Sequence, residues 1–214
     1  NYSSPDQIPG TTWSSVAGLG SRVLALKTNG TLWSWGYNEY GQTGSNDTTR
    51  RSSPTQVPGT TWDSLGRGRF FSNAIKTDGT LWAWGKNEKG QLGQNAGNNV
   101  HQSSPTQVAG TTWSIFSANQ EQASAIKTDG TLWMWGKNDS GSLGVNEAEP
   151  ARDGYSSPVQ VPGTTWRNVN GNGKVTIATK TNGTLWVWGA NTYGTLGQNN
   201  RTSRSSPIQI PGTT

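Results

Sequence analysis

The chain has no cysteine, one histidine and one methionine among its 214 residues. The first absence excludes disulfides and thiolate metal sites, and it leaves the compartment open. The second removes the commonest general base from almost the whole molecule, since His101 stands in a variable stretch with no partner in the pattern. Apolar residues are scarce, 29% in all, and no run of them is long enough to span a bilayer. No secretory leader is legible and the chain starts at Asn1 rather than Met, which reads as an excised or processed piece. No glycine-rich phosphate loop lies between a strand and a helix, no calcium-loop carboxylate ladder is present, and no segment sustains a helical period. These absences argue for binding rather than catalysis, and neither a cofactor nor a metal is expected.

What the chain does have is 12 tryptophans and 29 glycines. A buried tryptophan brings an apolar area on the order of 200 Å². The core therefore reads as a few large side chains packed against glycine. The formal charge is +5, but the lysines and arginines are scattered, which suits a solvated basic surface better than a nucleic-acid stripe.

Self-similarity decides the architecture. Ser-Ser-Pro begins at Ser3, Ser52, Ser103, Ser156 and Ser205, at intervals of 49, 51, 53 and 49 residues. Gly-Thr-Thr-Trp follows four times, ending at Trp13, Trp62, Trp113 and Trp166. A Thr-Asx-Gly-Thr-Leu-Trp-x-Trp-Gly block comes next, then Asn-x-x-Gly-x-x-Gly. From the last motif glycine to the next Ser-Ser-Pro lie 7, 9, 11 and 7 residues, and removing them leaves 42 in every repeat. All length variation is confined to one loop, which places that loop at the surface. The repeats run over 3–51, 52–102, 103–155 and 156–204, with an extra outer-strand segment at 205–214, in one repeat domain spanning 1–214.

Within a repeat every signal is β. Asn-Gly and Asp-Gly between Val23–Leu26 and Thr31–Trp35 predict a type I′ hairpin. Alternation puts Trp33 and Trp35 on one face and Leu32 and Ser34 on the other. Trp13–Ala17 reads as a preceding strand and Pro54–Pro58 as a short outer one. Four strands per unit predict an all-β fold, a β-propeller of four-stranded antiparallel blades, with the tryptophans wedged between blades.

The Asn29–Gly36 block with Asn38, Gly41 and Gly44, and the Trp-Gly-x-Asn-x-x-Gly-Gln-Leu-Gly string from Trp84 to Gly93, resemble the regulator-of-chromosome-condensation (RCC1-type) repeat. The resemblance covers essentially the whole chain and implies a propeller, usually of seven blades. Its members include an exchange factor, a plant photoreceptor and a bacterial inhibitor protein, so fold does not settle function. Where the family often carries a histidine, this chain has Arg22, Phe71, Gln122 and Val175. Its Ser-Ser-Pro and Gly-Thr-Thr-Trp strings look closest to bacterial and phage members. An extracellular or virion-associated location is the matching expectation.

The repeats disagree with one another between their first and second strands, at Leu19–Arg22, Gly68–Phe71, Asn119–Gln122 and Asn172–Val175. A regular scaffold with one irregular rim suits recognition. The expected binding residues are Arg22, Arg67, Arg69, Phe70, Phe71, Asn119, Glu121, Gln122, Asn172 and Lys174, with arginine and aromatic side chains enriched as at interface hot spots. The longest variable loop, Val145 to Tyr155, adds Glu147, Glu149, Arg152 and Asp153. Lys27, Lys76, Lys127 and Lys180 are expected to be solvated turn lysines. The expected partner is a protein held by a non-enzymatic scaffold. The alternatives are a secreted or virion-associated glycan binder and a guanine-nucleotide exchange or chromatin-binding propeller, with nucleic acid disfavoured as a partner. Four blades of this family's curvature leave a ring half open, so the chain is expected to form a homo-oligomer in which two copies close one ring, with a fragment of a longer array as the first alternative and a compact four-bladed monomer as the second.

Overall fold

The computed structural model describes residues 4–97, 99–147 and 154–212. The first sheet comprises β1 (Trp13–Leu19), β2 (Arg22–Lys27), β3 (Leu32–Gly36) and β4 (Arg51–Gln56). The second comprises β5 (Trp62–Arg67), β6 (Phe71–Lys76), β7 (Leu81–Gly85) and β8 (Gln102–Gln107). The third comprises β9 (Trp113–Ala118), β10 (Gln122–Lys127), β11 (Leu132–Lys137) and β12 (Gly154–Gln160). The fourth comprises β13 (Trp166–Gly171), β14 (Val175–Lys180), β15 (Leu185–Gly189) and β16 (Arg204–Gln209). Each sheet is antiparallel with its strands in sequence order. The first strands are innermost, with β1 against β5, β5 against β9 and β9 against β13, while the outer strands diverge. The four sheets are thus blades fanning from one axis.

The fifth Ser-Ser-Pro now has a place. Every blade takes its outer strand from the repeat that follows it, so β4 carries Ser52–Pro54 and β16 carries Ser205–Pro207. The first copy, from Ser4 to Thr12, lies in no strand. Just before the first strand of each blade the chain turns at Thr12, Thr61, Thr112 and Thr165, which hold φ values of 65–67°. A β-branched residue there is strained, and the turn recurs because the next blade's first strand starts directly after it.

The hairpins differ from the expected type I′. Gly30 lies at φ 74° but Asn29 does not enter the positive region, and Gly30 N–H donates to Lys27 O at 3.0 Å. This is a type I turn followed by a left-handed glycine. The reason is the Asx side chain: Asn29 Oδ1 accepts from Thr31 N–H at 3.1 Å and from its hydroxyl at 2.7 Å. Thr31 Oγ1 in turn accepts the Trp33 indole N–H at 3.0 Å. Asp78, Asp129 and Asn182 repeat the arrangement.

The core is not inside any blade but between blades, in three clusters. Leu24, Leu26, Leu32, Trp62 and Trp84 fill the first seam. Phe71, Leu81, Leu92, Trp113 and Trp135 fill the second, and Ile126, Leu132, Leu143, Trp166 and Trp188 the third. Trp84, Trp135 and Trp188 are fully buried. Each docks on the Asn-x-x-Gly-x-x-Gly loop of the preceding blade, donating its indole N–H to Gln42 O, Gln91 O and Ser142 O at 3.1, 3.0 and 2.9 Å. The motif asparagine builds that loop from inside: buried Asn38 accepts from Thr43 N–H at 2.8 Å and donates to Asp47 O and Thr49 O at 3.0 Å.

The repeated lysines correct a second expectation. They are half-buried, and each ammonium lies over two indoles. Lys76 Nζ is 4.9 Å from the Trp62 ring centroid and 4.2 Å from that of Trp82; Lys27, Lys127 and Lys180 do the same in their blades. The first and second tryptophans of the repeat meet edge to face, 6.2 Å apart for Trp62 and Trp82, and the lysine closes the corner.

Candidate functional site

The four variable turns form one continuous rim. A Cβ on Gly20 would lie 3.8 Å from Arg69 O, Arg69 N–H donates to Asn119 O at 3.1 Å, and Gly173 faces Asn119 Oδ1. Each turn is locally fixed. Asn119 Oδ1 accepts from Glu121 and Gln122 N–H at 3.2 and 3.0 Å, and Asn172 Oδ1 accepts from Lys174 and Val175 N–H at 3.2 and 3.1 Å. These asparagines are turn formers first.

The structure takes three residues off the expected surface. Arg22, Phe71 and Gln122 open the second strands and alternate inward with the seam residues, so all three are buried. Arg22 bridges the first two blades, donating through Nε to Ser72 Oγ at 3.1 Å. Its Nη1 donates to Arg69 O at 2.9 Å, and its Nη2 to Gly68 O at 2.9 Å and Phe71 O at 2.5 Å. Burial lowers its pKa to about 10, so it stays charged at neutral pH. Phe71 fills the second seam beside Trp135, and Gln122 donates to Lys137 O and Ser142 Oγ. The Arg67 side chain and residues Glu149, Arg152 and Asp153 lie outside the described residues. Glu147 accepts the Tyr155 hydroxyl at 2.5 Å.

What remains exposed on the rim is uneven. Asn172 and Lys174 are exposed on the fourth blade. Glu121 is half-buried and pairs with Lys137 at 3.3 Å. The Lys137 pKa is raised, chiefly by its hydrogen bond to Asp139. The densest group sits over the seam of the first two blades. There Arg69 is exposed, has no acidic partner among the described residues, and stands over Phe70 with 4.9 Å from guanidinium to ring centroid. Phe70 meets Tyr40 edge-on at 6.0 Å, Tyr40 meets His101 at 5.1 Å, and Lys86 Nζ reaches the Tyr40 and Phe70 rings at 5.1 and 5.2 Å. A cavity of about 150 Å³ opens beside them, lined by Gly20, Ser21, Arg22, Tyr37, Gln42, Arg69 and Phe70. Its outer wall is braced by Glu39, which accepts from the Tyr37 hydroxyl and pairs with Arg50.

Tyr37, Tyr40, Lys86 and His101 were absent from the expected set. The signal for three of them is the x positions of Gly-x-Asn-x-x-Gly, which read Tyr37, Lys86, Lys137 and Ala190, then Tyr40 against Lys89, Ser140 and Tyr193. The repeat pattern offers His101 no partner, but its Nδ1 accepts Asn87 N–H at 3.1 Å and its ring meets Tyr40. No cluster of metal-ligating residues occurs among the described residues, and no helix is long and apolar enough to cross a membrane.

The family description "Regulator of chromosome condensation (RCC1) repeat" matches residues 29–62, 78–115 and 182–214. A Danio rerio protein described as "Protein RCC2 homolog" is 39% identical over 82 residues, 36% of this chain and 15% of its own length. Human "Protein RCC2" is 36% identical over 91 residues, 40% of this chain and 16% of its own length. Among solved structures, Prp20p from Saccharomyces cerevisiae superposes with a TM-score of 0.82 at 18% identity, covering 96% of this chain and 52% of that one. Human WBSCR16 gives 0.79 at 22%, covering 94% and 53%. The chain thus spans about half of these solved chains and about a sixth of the curated relatives.

Proposed function

Because the chain belongs to the RCC1-repeat β-propeller family, we propose that it is a protein-recognition scaffold that holds its partner at the rim over the seam of the first two blades. The observation that carries this reading is Arg69. It is an exposed guanidinium with no acidic partner among the described residues, standing over Phe70 and backed by Tyr40, Lys86 and His101. Flat aromatic surface and an available planar cation beside a small cavity are the elements from which interface hot spots are made. The chemistry fits a partner segment that offers a carboxylate to Arg69 and an apolar side chain to the Tyr37–Phe70 cavity. The twelve tryptophans do not compete for this role, because their recurring positions serve the seams and the lysine corners. Protein binding is also what the solved yeast relative supports, since Prp20p is described in complex with Kap60 and as binding Gsp1p and histones.

The test is paired affinity capture from the native host with the wild-type chain and the R69A/F70A variant. Both positions are on the surface side of the turn, so the variant keeps its melting temperature. A protein retained by the wild-type chain and lost by the variant supports the reading. A partner held equally by both, or a glycan-array signal lost with the same two side chains, overturns it.

A further inference from the structure

The cavity over the first seam has a polar floor beneath its aromatic wall. Arg22 lines that floor from inside the fold. A guanidinium has five N–H groups. Four of them go to Ser72 Oγ, Arg69 O, Gly68 O and Phe71 O, and the fifth, on Nη1, has no acceptor among the described residues. All four acceptors are neutral, so they solvate the charge without cancelling it. No carboxylate pairs with Arg22 among the described residues. A buried charge in that state is costly until an opposite charge reaches it.

Gln42 is the second group on the floor. It is buried and lines the same cavity. Its Oε1 accepts the Tyr40 N–H at 2.8 Å, while its Nε2 has no acceptor among the described residues. An amide nitrogen that donates to nothing has two N–H groups to offer. Acids of the adjoining loops are already engaged: Glu39 with Tyr37 and Arg50, Asp47 with Arg51, and Glu88 with Lys86. Arg69 at the mouth of the cavity has no acidic partner among the described residues either.

This arrangement is not a by-product of the repeat. In the second and third seams the place of Arg22 is taken by Phe71 and Gln122, which carry no charge. The Gln122 amide already donates to Lys137 O and Ser142 Oγ. A buried cation with a spare donor, a spare amide and a second cation at the mouth therefore meet at the first seam alone among the described residues.

Resting on the rim-recognition reading and narrowing it, we infer that the carboxylate and the apolar group of the partner belong to one glutamate side chain that enters this cavity. Its carboxylate is the acceptor for Arg69, for the remaining Nη1 N–H of Arg22 and for the Gln42 amide. A planar carboxylate with two oxygens suits a guanidinium fork and leaves a lone pair for the amide. Its two methylenes cover the wall formed by Tyr37 and Phe70, which a bare phosphate group would leave open.

The experiment is an NMR titration of the full chain with a single glutamate capped as N-acetyl and N-methylamide. Capped glutamine and inorganic phosphate serve as parallel probes, and the signals read are the Gln42 side-chain amide and the Arg22 and Arg69 Nε–H. The Q42E variant, followed at the two arginines, keeps an oxygen for the Tyr40 N–H and puts a carboxylate of the chain's own on the floor. It is expected to melt no lower than the parent. In the wild type, capped glutamate is expected to shift all three signals saturably and capped glutamine none, and Q42E is expected to bind capped glutamate at least tenfold more weakly. A wild type in which capped glutamate moves these signals no more than capped glutamine overturns the inference. So does a Q42E variant that binds as the parent does, or phosphate binding more tightly than capped glutamate. In affinity capture, a partner lost by R69A/F70A but kept by Q42E overturns the glutamate pocket and leaves the rim reading standing. A partner held equally by the wild type and R69A/F70A overturns the rim reading itself.

Discussion

Replacing Gly93 and Gly197 with alanine separates seam packing from backbone strain. Both glycines end the Asn-x-x-Gly-x-x-Gly loop, and both sit in the left-handed region, at φ 69° and 61°. An alanine there costs about 1–2 kcal/mol for conformation alone. At Gly93 the new methyl would also meet Trp135 Nε1 at 2.6 Å and Cε2 at 2.9 Å. That indole is fully buried and held by Gln91 O, so it cannot swing away without breaking the bond. Overpacking of this kind costs about 1–3 kcal/mol, and the weakened hydrogen bond about 1 more. At Gly197 no blade packs against the loop among the described residues, and the nearest atom is Ile210 Cδ1 at 3.2 Å, the end of a flexible side chain. G93A is therefore expected to lose about 3–6 kcal/mol and G197A about 1–2. G44A, in the first blade, is expected to behave like G93A because its methyl would meet Trp84 Nε1 at 2.6 Å. Urea unfolding followed by circular dichroism, at a dilution where chains are single, measures all three. Equal losses for G44A, G93A and G197A would refute the seam argument.

Other substitutions probe other parts of the same frame. R22M leaves Gly68 O and Arg69 O without their donor, leaves Phe71 O only the Gly68 N–H, and is expected to cost about 3 kcal/mol in the same unfolding assay. R22K is not expected to rescue it, because an ammonium lacks the planar fork that reaches all four acceptors. K76M removes the cation from over Trp62 and Trp82 and is expected to cost about 1 kcal/mol, with a change in tryptophan fluorescence. Asp78 and Asp129 are held below the usual aspartate range, first by the Thr80 and Thr131 hydroxyls. A lowered folded-state pKa gives stability that is present above the unfolded value and is lost as pH falls through the folded one. The D78N/D129N variant, which copies Asn29 and Asn182, is therefore expected to show a flatter loss of stability below about pH 4 in acid titration.

The fold was legible because it is written four times. The constant 42-residue frame, the paired tryptophans and the Asx-Gly hairpins are local signals, and each became a strand, a seam or a turn. What was not legible depends on the neighbouring blade. Nothing local distinguishes Arg22 from Arg69, yet one points along the strand into the seam and the other stands on the turn. The same holds for the lysines, since Lys76 becomes a corner piece only when Trp62 and Trp82 are brought together from different strands. The hairpin type was missed for a chemical reason: the Asx side chain captures Thr31 and its counterparts and so keeps its own φ negative. The rim patch was half seen. Arg69 and Phe70 come from the turn that varies most, but Tyr40 and His101 arrive from a loop of the first blade and an inserted loop of the second.

Indole hydrogen exchange addresses the seams without any substitution. In a sample labelled at tryptophan Nε1 and diluted to single chains, the protons of Trp84, Trp135 and Trp188 are expected to exchange only with global unfolding, because each is buried on a carbonyl of the preceding blade. Trp35, identical in repeat position but half-buried and seated on no loop carbonyl among the described residues, is expected to exchange orders of magnitude faster. Equal protection of all four in the single chain, or rapid exchange of all four, would contradict blades that are held together by indoles seated on their neighbours.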